Sequence, residues 1–185
     1  MKAPLQIETT RLCLVQPQPT DAALIFERYA SDPDVTRLLG WPRHQSLADT
    51  QAFLRFSAAE WERWPAGPYL IRARDDGRLL GSTGFGFDSP HHAVTGYVLA
   101  KDSWGKGYAT EALGAIVSMA ERIGVTQLRA LCHPDHAASR RVLEKCGFVW
   151  DRLIEHLEFP NLAPGAPQDA LRYVRSSTPV SAGRS

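Results

Sequence analysis

Gly105-Lys106-Gly107 lies between an apolar run that ends at Ala100 and an amphipathic stretch that continues to Glu121, and its residue types could do chemistry. Glycine lacks the Cβ that would keep an anion away from the backbone. A helix that opens on such a turn leaves its first N–H groups unpaired, under the positive end of its dipole. Phosphate is the natural occupant. The same spacing also suits an ordinary strand-to-helix turn, and residue types alone leave both readings open. Two phosphate motifs are excluded. Gly107 stands where a P-loop needs Ser or Thr, and Thr110 stands where the third glycine of a dinucleotide fingerprint would fall.

The elements that would position this turn can be read in both directions from it. Upstream, Arg11 to Gln16 alternates as a strand, Thr20-Asp21 caps a helix to about Ala30, and Asp32-Pro33 breaks it. Ser46 to Trp64 reads as a helix with a capping-box start at Ser46 and Asp49. It belongs to an aromatic stretch with Trp41, Phe53, Phe56, Trp61 and Trp64, expected mainly to pack, with one or two free to wall a substrate pocket. Tyr69 to Ala73, Leu79 to Phe87 and Val94 to Leu99 are three strands joined by short polar turns, hence an antiparallel meander. Downstream, the helix from Gly107 ends at Gly124. Gln127 to Cys132 is a strand, His133 to Cys146 a turn and helix closed by Gly147, and strands begin at Phe148 and Ala170. The pattern is a mixed α/β layer fold with a βαβ unit across the glycine turn.

A chain of 185 residues is expected to form one domain over 1–175, with a polar, flexible tail at 176–185. The formal net charge of +1, with both signs interspersed, offers no footprint for nucleic acid or an anionic membrane. Cys13, Cys132 and Cys146 form no C-x-x-C pair, so neither a disulfide frame nor a metal site is expected. With no signal peptide and no run of membrane length, a cytoplasmic protein with reduced thiols is expected.

Trp104 to Ala112 (WGKGYATEA) and His133 to Phe148 (HPDHAASRRVLEKCGF) together resemble the GNAT N-acetyltransferase superfamily. Glu8 to Ala22 and Leu79 to Gly86 fit its RimJ/RimL-like branch. The resemblance implies a mostly antiparallel central sheet with a β-bulge or splayed strand pair and flanking helices. It implies acetyl-coenzyme A as co-substrate, held by Tyr97, Val98, Leu99, Trp104, Gly105, Lys106, Gly107, Tyr108, Ala109, Thr110, His136 and Ser139. In that arrangement the pyrophosphate sits on the N–H groups of Gly105 to Ala109. The pantetheine arm lies along the Val98-Leu99 strand where it splays from Gln127 to Cys132, and the Val98 or Leu99 N–H polarises the thioester carbonyl.

Three positions depart from the family pattern: Trp104 opens the turn, His136 replaces the asparagine that usually opens the following helix, and Leu143 stands where many relatives carry a tyrosine. Ser139 is then the expected proton donor. His136 and Glu155 are the expected further catalytic residues, with His91, His92, His156 and Glu158 as other candidates for a base, and a water chain to the strand with no single essential base as the alternative. The expected activity is acetyl transfer to a primary amine by direct attack. The acceptor is a protein N-terminus, a peptide or a small amine, and a homodimer is compatible with the family. The alternative is a non-catalytic acyl-coenzyme A-binding sensor or interaction module.

Overall fold

The computed structural model describes residues 1–162 and 168–176. Residues 163–167, in a stretch from Pro160 to Pro167 that the sequence marks as a Pro/Gly-rich loop, and the expected tail beyond Ser176 lie outside the described residues. Eight strands form one sheet in the order β1-β2-β3-β4-β5-β6-β8-β7: β1 Gln6–Glu8, β2 Leu12–Val15, β3 Pro68–Ala73, β4 Leu79–Ser89, β5 His92–Leu99, β6 Gln127–Cys132, β7 Val149–Leu157 and β8 Gln168–Ser176. All neighbours are antiparallel except β5 and β6, which are joined by helix α4, Tyr108–Arg122. The expected meander is β3-β4-β5, and the mixed, mostly antiparallel sheet is as the resemblance implied.

Side chains alternate across the sheet and build a core on each face. Tyr69, Ile71, Leu80, Phe85 and Leu99 meet Ala112, Leu113, Ile116, Val117 and Ala120, the apolar stripe of α4. Leu70, Leu79, Val98 and Ala100 meet Ile25, Tyr29 and Leu54 on the opposite face. These last three come from the 22–30 segment and from α3, Leu47–Arg63, whose Ser46/Asp49 capping box is present as expected.

Three features differ from the sequence reading. The short strand β1 is too brief to carry an alternation signal, and it exists because β2 offers it an edge. The 19–30 segment is not one regular helix. A 3-10 turn at Pro19–Asp21 is followed by α1, Ala22–Ile25, and then a π turn at Phe26–Ala30. Phe26 O, which accepts from both Ser31 N–H and Ser31 Oγ, is the anchor of that wider turn. Finally, Asp32-Pro33 starts a helix as well as ending one. Asp32 Oδ1 accepts from Asp34 N–H and Val35 N–H and caps α2, Pro33–Thr36.

The feature that matters most for function is the divergence of β5 from β6. The two strands pair only at His92, Ala93 and Val94 with Gln127, Leu128 and Arg129. Beyond Val94 they separate, and α5, Ala137–Lys145, stands over the opening.

Candidate active site

The cleft between β5 and β6 exposes a strand edge whose polarity the ladder fixes. Ala100 N–H bonds Leu80 O and Gly96 O accepts from Thr83 Oγ1, so even-numbered residues of β5 direct their main chain to β4. Odd-numbered residues, Thr95, Tyr97 and Leu99, therefore face the cleft. Of the two expected donors, Val98 spends its N–H on β4 and Leu99 turns its N–H to the opening. The Leu99 carbonyl is taken by Trp104 Nε1 at 2.8 Å, which fixes the indole at the start of the glycine turn.

That turn has the conformation the sequence called for. Gly105 and Gly107 have φ of +72° and +79°, and Gly107 occupies the N-cap of α4 in the left-handed region without a side-chain cap. The first N–H groups of α4 are thus left for an anion. Arg11, unmarked in the sequence, braces the turn from the position just before β2. Its Nη1 donates to Lys106 O at 2.9 Å, its guanidinium lies 4.8 Å from the Tyr108 ring centroid, and its Nε pairs with Glu111 Oε2 at 2.7 Å. Glu111 also accepts from Thr9 Oγ1 and Arg11 N–H. Burial opposes ionisation of Glu111, but these hydrogen bonds outweigh it and hold the carboxyl below its ordinary range.

Two cavities meet at this edge. The first, about 590 Å³, runs from Tyr97, Val98 and Leu99 past Trp104, Gly105, Gly107, Tyr108, Ala109 and Thr110 to His136 and Ser139 on α5. It contains every expected cofactor residue except Lys106, which contributes its backbone to the Arg11 brace. It also contains Arg141 and Lys145, four residues apart on α5, with Val142 between them. That cationic stripe was visible at helical spacing but was not singled out. An N–H cradle, a free strand edge and the cations Arg37, Arg141 and Lys145 in the lining fit a phosphorylated thioester with an extended arm.

The second cavity, about 540 Å³, shares Leu38, Leu39, Tyr97, Val98, His136 and Ser139 with the first and opens toward Trp41, Phe53, Phe56, Leu157, Glu158 and Phe159. Glu158 is the only carboxylate among its described lining residues. Glu155 lies exposed on β7 outside both cavities, as do His91, His92 and His156. His91 is engaged with Gly124 O through Nδ1.

Where the cavities meet, Tyr97 Oη lies 2.8 Å from Ser139 Oγ and 2.9 Å from Ser139 O. Each hydroxyl has one proton, so when Tyr97 donates to Oγ, the serine proton is free for the cleft. Burial pushes the Tyr97 hydroxyl above its ordinary pKa, with Ser139 acting against the shift, so it stays protonated across the neutral range. Sequence reading placed Tyr97 among cofactor contacts and missed this pairing. The two residues are distant in the chain, and only the fold brings them together. Leu143, at the family's tyrosine position, is buried in the core at 1% exposure.

His136 has a structural duty. Its Nδ1 accepts from Ser139 N–H at 3.4 Å and caps α5, which places the proton of a neutral ring on Nε2. Burial, followed by the neighbouring His133, lowers its pKa, so the ring is neutral and faces the cleft as a donor. The unfolded chain therefore takes up this proton first. The associated stability is complete above about pH 6.5 and declines as the pH falls below that value. His136→Asn, which keeps a capping oxygen, is expected to flatten that part of the melting temperature against pH curve. Superimposable curves for the two proteins would contradict the assignment.

Residues 11–149 match the family described as the acetyltransferase (GNAT) domain. YoaA of Bacillus subtilis, named an N-acetyltransferase, is 29% identical over 170 residues, covering 90% of this chain and 94% of its own. Among solved structures, the RimL ribosomal L7/L12 alpha-N-protein acetyltransferase with coenzyme A superposes with a TM-score of 0.80 at 21% identity, covering 94% of this chain and 96% of that one. The Microcin C7 self-immunity acetyltransferase MccE, with acetyl-CoA and AMP, gives 0.82 at 18% identity, covering 95% and 98%. A strand edge, a glycine-opened helix and a matching family pattern across most of the sequence lead to one conclusion: this chain belongs to the GNAT acetyltransferase family.

Proposed function

We propose that the protein transfers an acetyl group from acetyl-coenzyme A to an uncharged amine nitrogen by direct attack, within the RimJ/RimL-like branch. The observation that carries this reading is the meeting of two cavities at the Tyr97–Ser139 hydroxyl pair. Acetyl-coenzyme A supplies the activated acyl group. The N–H groups of the Gly105 to Ala109 turn hold its phosphates, with Arg141 and Lys145 adding positive charge. Leu99 N–H, on the cleft side of β5, donates to the carbonyl oxygen as negative charge develops there.

The amine enters by the second cavity. Glu158, its lone described carboxylate, attracts the ammonium form and accepts a proton directly or through water. The C–N bond forms as the C–S bond breaks, and the net proton lost by nitrogen balances the one gained by sulfur. Ser139 donates a hydrogen bond to the departing sulfur while Tyr97 donates to Ser139. The pair acts as a relay, because a hydroxyl is a weaker acid than a thiol and cannot be the net proton source.

With one carboxylate and aromatic walls, the second cavity suits an amine on a neutral body better than a polycation. A protein N-terminus with small uncharged residues has this chemistry, and RimL, by its name, is an alpha-N-protein acetyltransferase. The test is thiol release from acetyl-coenzyme A over a panel of peptides with free N-termini, small neutral amines and polyamines. Turnover concentrated in the first two groups supports the reading. Tight cofactor binding with no turnover on any amine would indicate a binding module instead.

A further inference from the structure

The wall of the second cavity formed by Leu38, Leu39, Gly40 and Trp41 belongs to an irregular stretch between α2 and α3. Leu157, Glu158 and Phe159 form another part of the lining at the end of β7. Phe159 is itself fixed there, packed edge-on against His133 with ring centroids 4.8 Å apart.

Among the described residues, one side chain joins these two regions by hydrogen bonds. Asn161 Oδ1 accepts from Arg43 N–H at 2.6 Å, and Asn161 Nδ2 donates to Thr36 O and to Trp41 O, both at 2.8 Å. Both amide protons and one oxygen lone pair are spent on backbone groups of a segment more than a hundred residues away. The segment's other main-chain bonds run back to its own side of the cleft. Thr36 N–H reaches Asp32 O, Leu39 N–H reaches Thr36 O, and His44 N–H reaches Ala30 O. Asn161 is thus the tie that sets the separation of the two walls, and it lines neither cavity.

We propose that Asn161 is a positioning residue for the acceptor. It holds the Leu38 to Trp41 wall in register with Leu157 to Phe159, so that the cavity has its working width before the amine arrives. This rests on the second cavity being the acceptor site. Preorganisation of this kind appears as acceptor affinity, because without it part of the binding energy goes into ordering the wall. Leu38 and Leu39 also line the cofactor cavity, with Asp34, Val35 and Arg37, whereas Gly40 and Trp41, whose carbonyl Asn161 holds, line the acceptor cavity and not the cofactor one, so loss of the tie falls mainly on the acceptor.

The experiment compares Asn161→Ala and the near-isosteric Asn161→Asp with the wild type. The aspartate keeps the acceptor for Arg43 N–H but turns an oxygen toward the two carbonyls that the amide satisfied. For both variants the acceptor KM is expected to rise about tenfold, the size of one or two lost hydrogen bonds. Coenzyme A affinity should fall by no more than about twofold, well short of the change in acceptor KM, because only part of the tied wall reaches the cofactor cavity, and its retention also reports that the variants are folded. Equal losses in the two affinities would overturn the acceptor-specific role. Amide exchange over residues 37–44 should quicken in both. Faster exchange with an unchanged acceptor KM would overturn the positioning role while leaving acetyl transfer intact. An aspartate variant equal to wild type in both readouts would overturn the tie itself. A wild type that turns over no amine would overturn the acceptor assignment on which the role rests.

Discussion

Replacing Gly107 with valine is expected to weaken coenzyme A binding by about a hundredfold or more, whereas Lys106→Ala should weaken it by no more than about fivefold. The asymmetry follows from the geometry of the turn. Gly107 sits at φ +79° as the N-cap of α4, a conformation that penalises any Cβ by about 1–2 kcal/mol and a β-branched side chain by more. Valine relieves that strain only by rotating the peptide, which turns the N–H groups at the head of α4 away from the phosphates. Little open space is at stake, since a Cβ at this glycine would meet only Arg11 Nη2 at 3.4 Å. The loss therefore comes from backbone conformation rather than from filling a cavity. Lys106 contributes mainly its carbonyl, which Arg11 holds whatever side chain stands there. Calorimetric titration of both variants is the measurement, with circular dichroism to show that α4 persists. Equal losses would mean that the lysine charge, and not the backbone, binds the phosphates.

The second large effect is expected at the hydroxyl pair. Tyr97→Phe should lower kcat by about a hundredfold with little change in coenzyme A affinity, within the range a positioned proton-transfer group contributes. Ser139→Ala should do the same. Because the two hydroxyls act as one relay, the double variant should be scarcely worse than either single one. Tyr97→Phe removes the one phenolic proton, which alternates between Ser139 Oγ at 2.8 Å and Ser139 O at 2.9 Å, so the serine loses its partner in the relay and part of its orientation. Multiplicative losses in the double variant would show that the residues act separately. An unchanged kcat in Tyr97→Phe would remove the tyrosine from the chemistry.

Local features of the fold and site were legible in the sequence to the extent that short-range rules govern them. The glycine turn, the stripe of α4, the Ser46/Asp49 capping box and the β3-β4-β5 meander each depend on residues a few positions apart, and all are present. The irregular 19–30 segment was misread because its apolar spacing is helical while its hydrogen bonding is set by Pro19 and Ser31. The Tyr97–Ser139 pair, the Arg11 brace with Glu111 and the Asn161 tie join residues that no local pattern connects. Glu155 drew attention by its residue type, yet it falls in the register shift of β7 between Ile154 and Leu157 and lines neither cavity, and Glu158 lines the second cavity instead. The choice between Val98 and Leu99 as the donor required the ladder's phase, which the pairing of β5 with β4 supplies.

Direct transfer implies that no residue of the chain ever carries the acetyl group. Cys132 is buried, its thiol is raised above the ordinary pKa by burial, and its sulfur is directed to the His133 and His136 carbonyls, so it is a poor nucleophile. The most direct test is mass spectrometry of the intact protein and of the acceptor during turnover with acetyl-coenzyme A. The predicted result is an acetyl group on the acceptor amine, an unmodified protein at every time point, and no transfer when Leu99 is replaced by proline to delete its N–H. A protein-bound acetyl group that forms and passes to the amine at the rate of turnover would contradict direct attack at the cleft.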